Sequence, residues 1–124
     1  MAVKMDCTNY TLVNNTGTVV TPIATGADTT TLYITPTVAC HKLILILTNT
    51  AAGAITVDIA KGDYWAGVAM TQVSIAQNIP KAFVFESARF MKSQANAAAV
   101  TDYCIKVTIG AAAVTTSYQV IQLP

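Results

Sequence analysis

His41 is the single histidine of this 124-residue chain, and it follows Cys40 directly. A thiol beside an imidazole is the beginning of a nucleophile–base pair or of a metal site. Nucleophilic catalysis also needs a third group to orient the base, and a zinc site needs four ligands at workable spacing. The other two cysteines, Cys7 and Cys104, are far off in sequence, and no two cysteines form a CxxC pair. An odd number of widely spaced cysteines is a poor disulfide framework. Each therefore reads as a free thiol packed as a small hydrophobe, and His41 as a strand-edge histidine satisfied by a hydrogen bond. The six carboxylates are Asp6, Asp28, Asp58, Asp63, Glu86 and Asp102. A glycosidase needs two of them facing across a sugar, and no motif marks such a pair. There is no phosphate-cradling Gly-rich loop, HExxH or GxSxG. The expectation is a protein that is not an enzyme, with no cofactor and no metal.

Two segments carry more polarity than their surroundings. In Lys61-Gly62-Asp63-Tyr64-Trp65-Ala66-Gly67 the only tryptophan and a tyrosine sit in a Gly-flanked loop. Loop aromatics serve as binding anchors and stack on sugar faces; alternatively these two fold back and cap an open end of the domain. In Phe83-Val84-Phe85-Glu86-Ser87-Ala88-Arg89-Phe90, Glu86 and Arg89 bracket a bend. They pair with each other, or Arg89 holds a carboxylate of a neighbouring subunit, for which its planar fork is suited. The candidate interface residues are thus Tyr64, Trp65, Glu86, Arg89 and Phe90.

The elements that must position these residues are strands. Ile55, Val57 and Ile59 alternate with Thr56, Asp58 and Ala60; Ile105, Val107 and Ile109 alternate with Cys104, Lys106 and Thr108; Val120 and Gln122 alternate with Ile121 and Leu123. A period of two is the mark of a strand with one face on a core. Leu43-Ile44-Leu45-Ile46-Leu47 is apolar throughout, which predicts a strand buried on both faces, or in the core on one and in an interface on the other. Strands are predicted near 18–24, 30–35, 42–48, 54–60, 71–76, 81–86, 103–109 and 117–123. Turn signals separate them, among them Asn14-Asn15-Thr16-Gly17, Gly26-Ala27-Asp28, Asn49 to Gly53 and Gly110-Ala111-Ala112. The five-residue loop with Gly53 predicts a hairpin of 42–48 with 54–60 at the middle of a sheet. Ser87 to Ala99 is the one stretch with helical propensity; it lacks a helical period and reads as a strand end and loop. The fold expected is all-β: a single-domain antiparallel β-sandwich, jelly-roll or Ig-like, of about eight strands over 17–124, with 1–16 an N-terminal arm or edge strand.

Composition narrows the partners. Hydrophobic residues are 53% and charged residues 10%, against a usual charged share of roughly 25%. A surface so poor in charge suits a protein covered by partners. The net charge of +1 comes with no basic stripe, so no nucleic-acid partner is expected. No apolar run approaches a membrane span, and the first residues, Met1 to Asp6, lack a signal peptide's apolar core. Asn9-Tyr10-Thr11 and Asn14-Asn15-Thr16 then match the glycosylation pattern by chance, and synthesis in a cytoplasm is expected.

The run Ile55-Thr56-Val57-Asp58-Ile59-Ala60-Lys61-Gly62-Asp63, the Trp-bearing loop, the turn Phe85-Glu86-Ser87-Ala88-Arg89-Phe90 and the closing Val120-Ile121-Gln122-Leu123-Pro124 are similar to small tailed-phage head decoration or accessory capsid proteins. The resemblance covers roughly residues 17 to 124. It departs at Ala97-Ala98-Ala99, where that group often carries Gly-containing turns. It implies a virion protein on the capsid surface that binds the major capsid protein; a homo-oligomer of the chain itself is a further partner it leaves open. It implies no catalytic residue, and a structural or interfacial role for the Glu86–Arg89 turn. A tail or neck subunit, and a carbohydrate- or receptor-binding module anchored by Tyr64 and Trp65, are the other readings the residues leave open.

Overall fold

Alternation along the chain becomes burial strand by strand in the computed structural model, which describes residues 3–25, 29–63, 65, 67–86, 88–110 and 116–124. The turn signals at 26–28 and 111–112, with Asp28 and Ser87, lie outside the described residues. The strands are β1 (Val3–Asp6), β2 (Asn9–Thr11), β3 (Ile23–Ala24), β4 (Thr29–Ile34), β5 (Leu43–Asn49), β6 (Ile55–Ile59), β7 (Met70–Ile75), β8 (Lys81–Val84), β9 (Lys92–Ala95), β10 (Thr101–Ile109) and β11 (Thr116–Gln122). They form two sheets. The first has the order β1-β4-β10-β6-β7, with β9 also on β10; the second has β2-β11-β5-β8, with β3 also on β11. Leu45, Leu47, Tyr118 and Val120 of the second sheet join Leu32, Val57, Ile59 and Val107 of the first in one core. The protein is an all-β sandwich. Among the described residues no helix is long and apolar enough to cross a membrane.

Each of the eight expected strands has a counterpart, the segment expected as an arm or edge strand supplies β1 and β2, and β9 is additional. Most pairs are antiparallel, but the N-terminal segment adds two parallel strands, β1 on β4 and β2 on β11. Two residues link them, so this segment edges both sheets. Cys7 N donates to Tyr33 O at 2.8 Å and Thr8 N to the Tyr118 hydroxyl at 3.0 Å at the crossing.

The expected hairpin of β5 with β6 does not form. β5 pairs with β11 and β8, whereas β6 pairs with β10 and β7 in the other sheet. Both strands carry an apolar face: Leu43, Leu45 and Leu47 on one, Ile55, Val57 and Ile59 on the other, all buried. Both faces enter the one core between the sheets, and the link between the two strands spans the layer spacing of roughly 10 Å. Asn49 holds the corner. Its Nδ2 donates to Gly53 O at 2.9 Å and Ile75 O at 3.2 Å, and its Oδ1 accepts from Ala51 N at 2.9 Å. Its carbonyl accepts from Asn78 N at 2.7 Å, which ties in the next crossing. On the outer face of β5, Ile44 and Ile46 are half-buried.

β11 turns Tyr118, Val120 and Gln122 inward. Burying an amide costs free energy unless its hydrogen bonds are made. Gln122 makes them: Nε2 donates to Thr11 Oγ1 and Thr37 Oγ1, both at 2.8 Å, and Oε1 accepts from Thr37 N at 2.8 Å. One side chain thereby joins β2, β11 and the connection after β4.

Asn49→Ala should destabilise the protein by about 2–4 kcal/mol, since it removes the buried amide's bonds to Gly53, Ile75 and Ala51 at the crossing. Urea denaturation followed by far-UV circular dichroism measures this.

Candidate functional site

The two segments singled out for their polarity are built into one unit. The loop after β6 lies against the bend between β8 and β9. Gly62 N donates to Arg89 O at 2.9 Å, Asp63 N donates to Met91 O at 2.9 Å, and Asp63 Oδ2 accepts from Ser93 N at 2.9 Å. Gly62 is buried in this junction. A Cβ there would sit 2.6 Å from Arg89 O and 2.7 Å from Met91 N, both backbone atoms, so a larger residue cannot make this approach. The bend carries a 3-10 turn, Ala88–Phe90. Phe85 and Phe90 face inward at its ends, with ring centroids 5.5 Å apart and planes at 70°, an edge-to-face packing.

Between those rings the polar side chains face out. Arg89 Nη1 and Glu86 Oε1 are 3.0 Å apart, so the internal pairing expected of them exists. Phe90 is 7% exposed and packs in the core at the edge of the smaller of two clefts. The short turn shifts the strand parity and brings Phe90 round to the side of Phe85. Trp65 stands at the surface with 86% exposure, which is not the position of a cap folded over the sandwich end. Tyr64 lies outside the described residues.

Two clefts open beside the junction, of about 730 and 480 Å³. His41 and Glu86 line both. Cys40, Asp63 and Tyr103 complete the polar and aromatic lining of the larger; Val68, Val84 and Arg89 border the smaller. His41 is exposed there, in a 3-10 turn, Cys40–Lys42, that precedes β5. Sequence reasoning missed the meeting of His41, Asp63, Glu86 and Tyr103, which come from four separate parts of the chain. The one trace of it is the Gly-Asp pair, a glycine that a backbone contact demands.

The thiols are poor nucleophiles. Burial, helped by the charge of Asp6 and opposed by a hydrogen bond with Tyr118, pushes Cys7 from its ordinary 9.0 up to about 12. Burial also raises Cys40 and Cys104. All three are free thiols, and at neutral pH they stay protonated. Among the described residues no group of three His, Cys, Asp or Glu side chains is placed to hold a metal ion. The arrangement offers a concave surface, a surface ion pair and an exposed indole: equipment for binding. Set beside known protein families, curated proteins and solved structures, the chain matches none.

Two outcomes follow from this geometry. Gly62→Ala should cost about 1–3 kcal/mol by forcing the loop off the bend, read as a lower denaturation midpoint with faster amide exchange at Gly62 and Asp63. Cys7 binds its proton more tightly folded than unfolded, so its contribution is complete below pH 9 and is lost as pH rises from 9 toward 12. Stability measured across that window should fall, and fall less steeply in Cys7→Ala.

Proposed function

We propose that this chain is a non-enzymatic structural protein of a tailed-phage particle, a head decoration protein. In this reading it is made in the host cytoplasm and binds the major capsid protein on the outer surface of the virion, alone or as a homo-oligomer. The observation that carries the reading is the junction of Gly62 and Asp63 with Arg89, Met91 and Ser93. The segments that resemble the decoration family are far apart in sequence, yet they hydrogen-bond into one platform. Trp65, Val84 and Tyr103 are exposed apolar groups.

The mechanism is physical. A shell offers the same site many times, and a small protein bridging neighbouring subunits adds weak contacts into a large total by multivalency. A surface with few charges has little to desolvate on docking. A tail or neck position uses the same physics. The second reading, a carbohydrate- or receptor-binding module, draws on one observation, the exposed indole of Trp65 in the loop beside the larger cleft.

Purified protein sedimented with phage heads that lack it should co-sediment saturably, at a fixed ratio to capsid subunits. Arg89→Ala should weaken that binding with little loss of stability, since an exposed ion pair is worth about 0–1 kcal/mol and the junction uses the Arg89 backbone. No binding to heads, with a tryptophan fluorescence shift on adding glycans, would exchange the first reading for the second.

A further inference from the structure

We infer that two copies of this chain join edge to edge along β8, so that their second sheets run on as one. β8 is the last strand of its sheet and pairs only with β5 among the described residues. Which of its main-chain groups face β5 follows from alternation. Leu123 N donates to Lys42 O between β11 and the start of β5, so the even-numbered residues of β5 face β11, and Leu45 and Leu47 face β8. Their partners Phe83 and Lys81 turn back toward β5. Ala82 and Val84 therefore point their N–H and C=O groups away from the sheet, and both side chains are exposed. The edge strand of the other sheet is closed to such pairing. β7 bulges at Gln72, whose φ is 51° and whose N donates to Asp58 Oδ1 at 2.6 Å. Lys81 Nζ also donates to its Ser74 O at 2.7 Å. Bulges and lysines are devices against edge pairing. β8 keeps a regular register with β5, and its one lysine is drawn away to β7.

The strand that fits this edge is a second β8. A two-fold axis at Phe83 sets Ala82 of each copy opposite Val84 of the other, and every free N–H then meets a free C=O. The small Ala82 side chain lies beside the larger Val84, and the outward row of Ile121, Ile44 and Val84 continues across the join. A second feature matches under the same axis. Ile79 is 64% exposed just before β8. It precedes Pro80, which favours extended backbone, so alternation puts it on the same side as Lys81 and Phe83. Antiparallel pairing carries it to the far end of the other copy's β8. There the smaller cleft, of about 480 Å³, has an apolar wall of Val68, Met70, Val84, Phe85 and Phe90. An exposed apolar side chain and an apolar cleft thus lie at opposite ends of one open edge. The two-fold brings each to the other, twice. The pairing concerns the free protein and does not rest on the decoration reading.

The test is sedimentation equilibrium of the purified protein alone, joined to amide exchange. The mass should rise from one chain to two with concentration. The amides of Ala82 and Val84 should exchange fast in dilute solution and become protected as the dimer forms, while Phe83, already bonded to β5, stays protected throughout. Val84→Pro removes a donor on the free edge and leaves the ladder with β5 whole. It should weaken dimerisation at least about tenfold. Ile79→Asp, outside any strand, should weaken it by a similar factor, about tenfold or more. Val19→Asp, at an exposed valine elsewhere, should leave it unchanged. Retained protection at Phe83 shows that each variant is folded. A single-chain mass up to about 1 mM overturns the pairing. So does a dimer that forms without protecting Ala82 and Val84, or one that survives either Val84→Pro or Ile79→Asp in folded protein. No phage heads enter the measurement, so its failure leaves the decoration reading standing.

Discussion

Two apolar strand faces joined by a five-residue link are the constraint on which the rest of this sandwich depends. Because β5 and β6 bury those faces in one core from opposite sheets, they do not pair edge to edge, and each finds other neighbours. β5 takes β11 and β8; β6 takes β10 and β7. The chain then crosses between layers again and again, and every crossing carries peptide groups past the edge of the core. Asn49 acts as the local solution at one of them, a side chain that imitates backbone partners where the ladder ends. Gln122 does the same at the opposite end of the second sheet.

The candidate site is a product of that crossing pattern. The bend after β8 carries the chain from the second sheet back to the first and meets the loop after β6 on the way. The contact is mostly backbone to backbone, which makes it close and leaves side chains free to face outward. Glu86, Arg89 and Asp63 thus stand on that hydrogen-bonded base although none of them lies within a strand. Rigid support for surface groups is what a docking surface needs if binding is not to cost the ordering of loops.

Much of the fold was legible in the sequence because its signal is local. The inward Ile55, Val57 and Ile59, and the inward Ile105, Val107 and Ile109, can be read from alternation alone. β9 was not legible: Lys92-Ser93-Gln94-Ala95 has no apolar alternation, and it is a strand because Asp63 and β10 hold it. The β5–β6 relation was misread because a Gly-bearing loop of that length serves a hairpin and an interlayer crossing equally well. What decides is the pairing of distant strands. Glu86 and Arg89 were legible as a pair because three residues separate them. Phe90 was not, since a single 3-10 turn resets which side of the chain is inside. His41 joins the cleft through tertiary placement alone, and nothing in its neighbours announces that.

The parallel N-terminal strands have a consequence for the order of events during synthesis. β2 lies beside β11, and Thr11 is bonded to Gln122 across 111 positions of sequence. The neighbours of β5, β8 and β11, also come after it. A growing chain therefore cannot close the second sheet until residue 122 has left the ribosome. At about 5–20 residues per second, the Leu43–Leu47 run waits on the order of ten seconds for its last neighbour. Throughout that time it is a short, uncharged, strand-forming segment in search of any edge. The yield of native protein is then set by a race between completion of the chain and pairing between nascent chains, and slower translation or crowded expression tilts it toward aggregates.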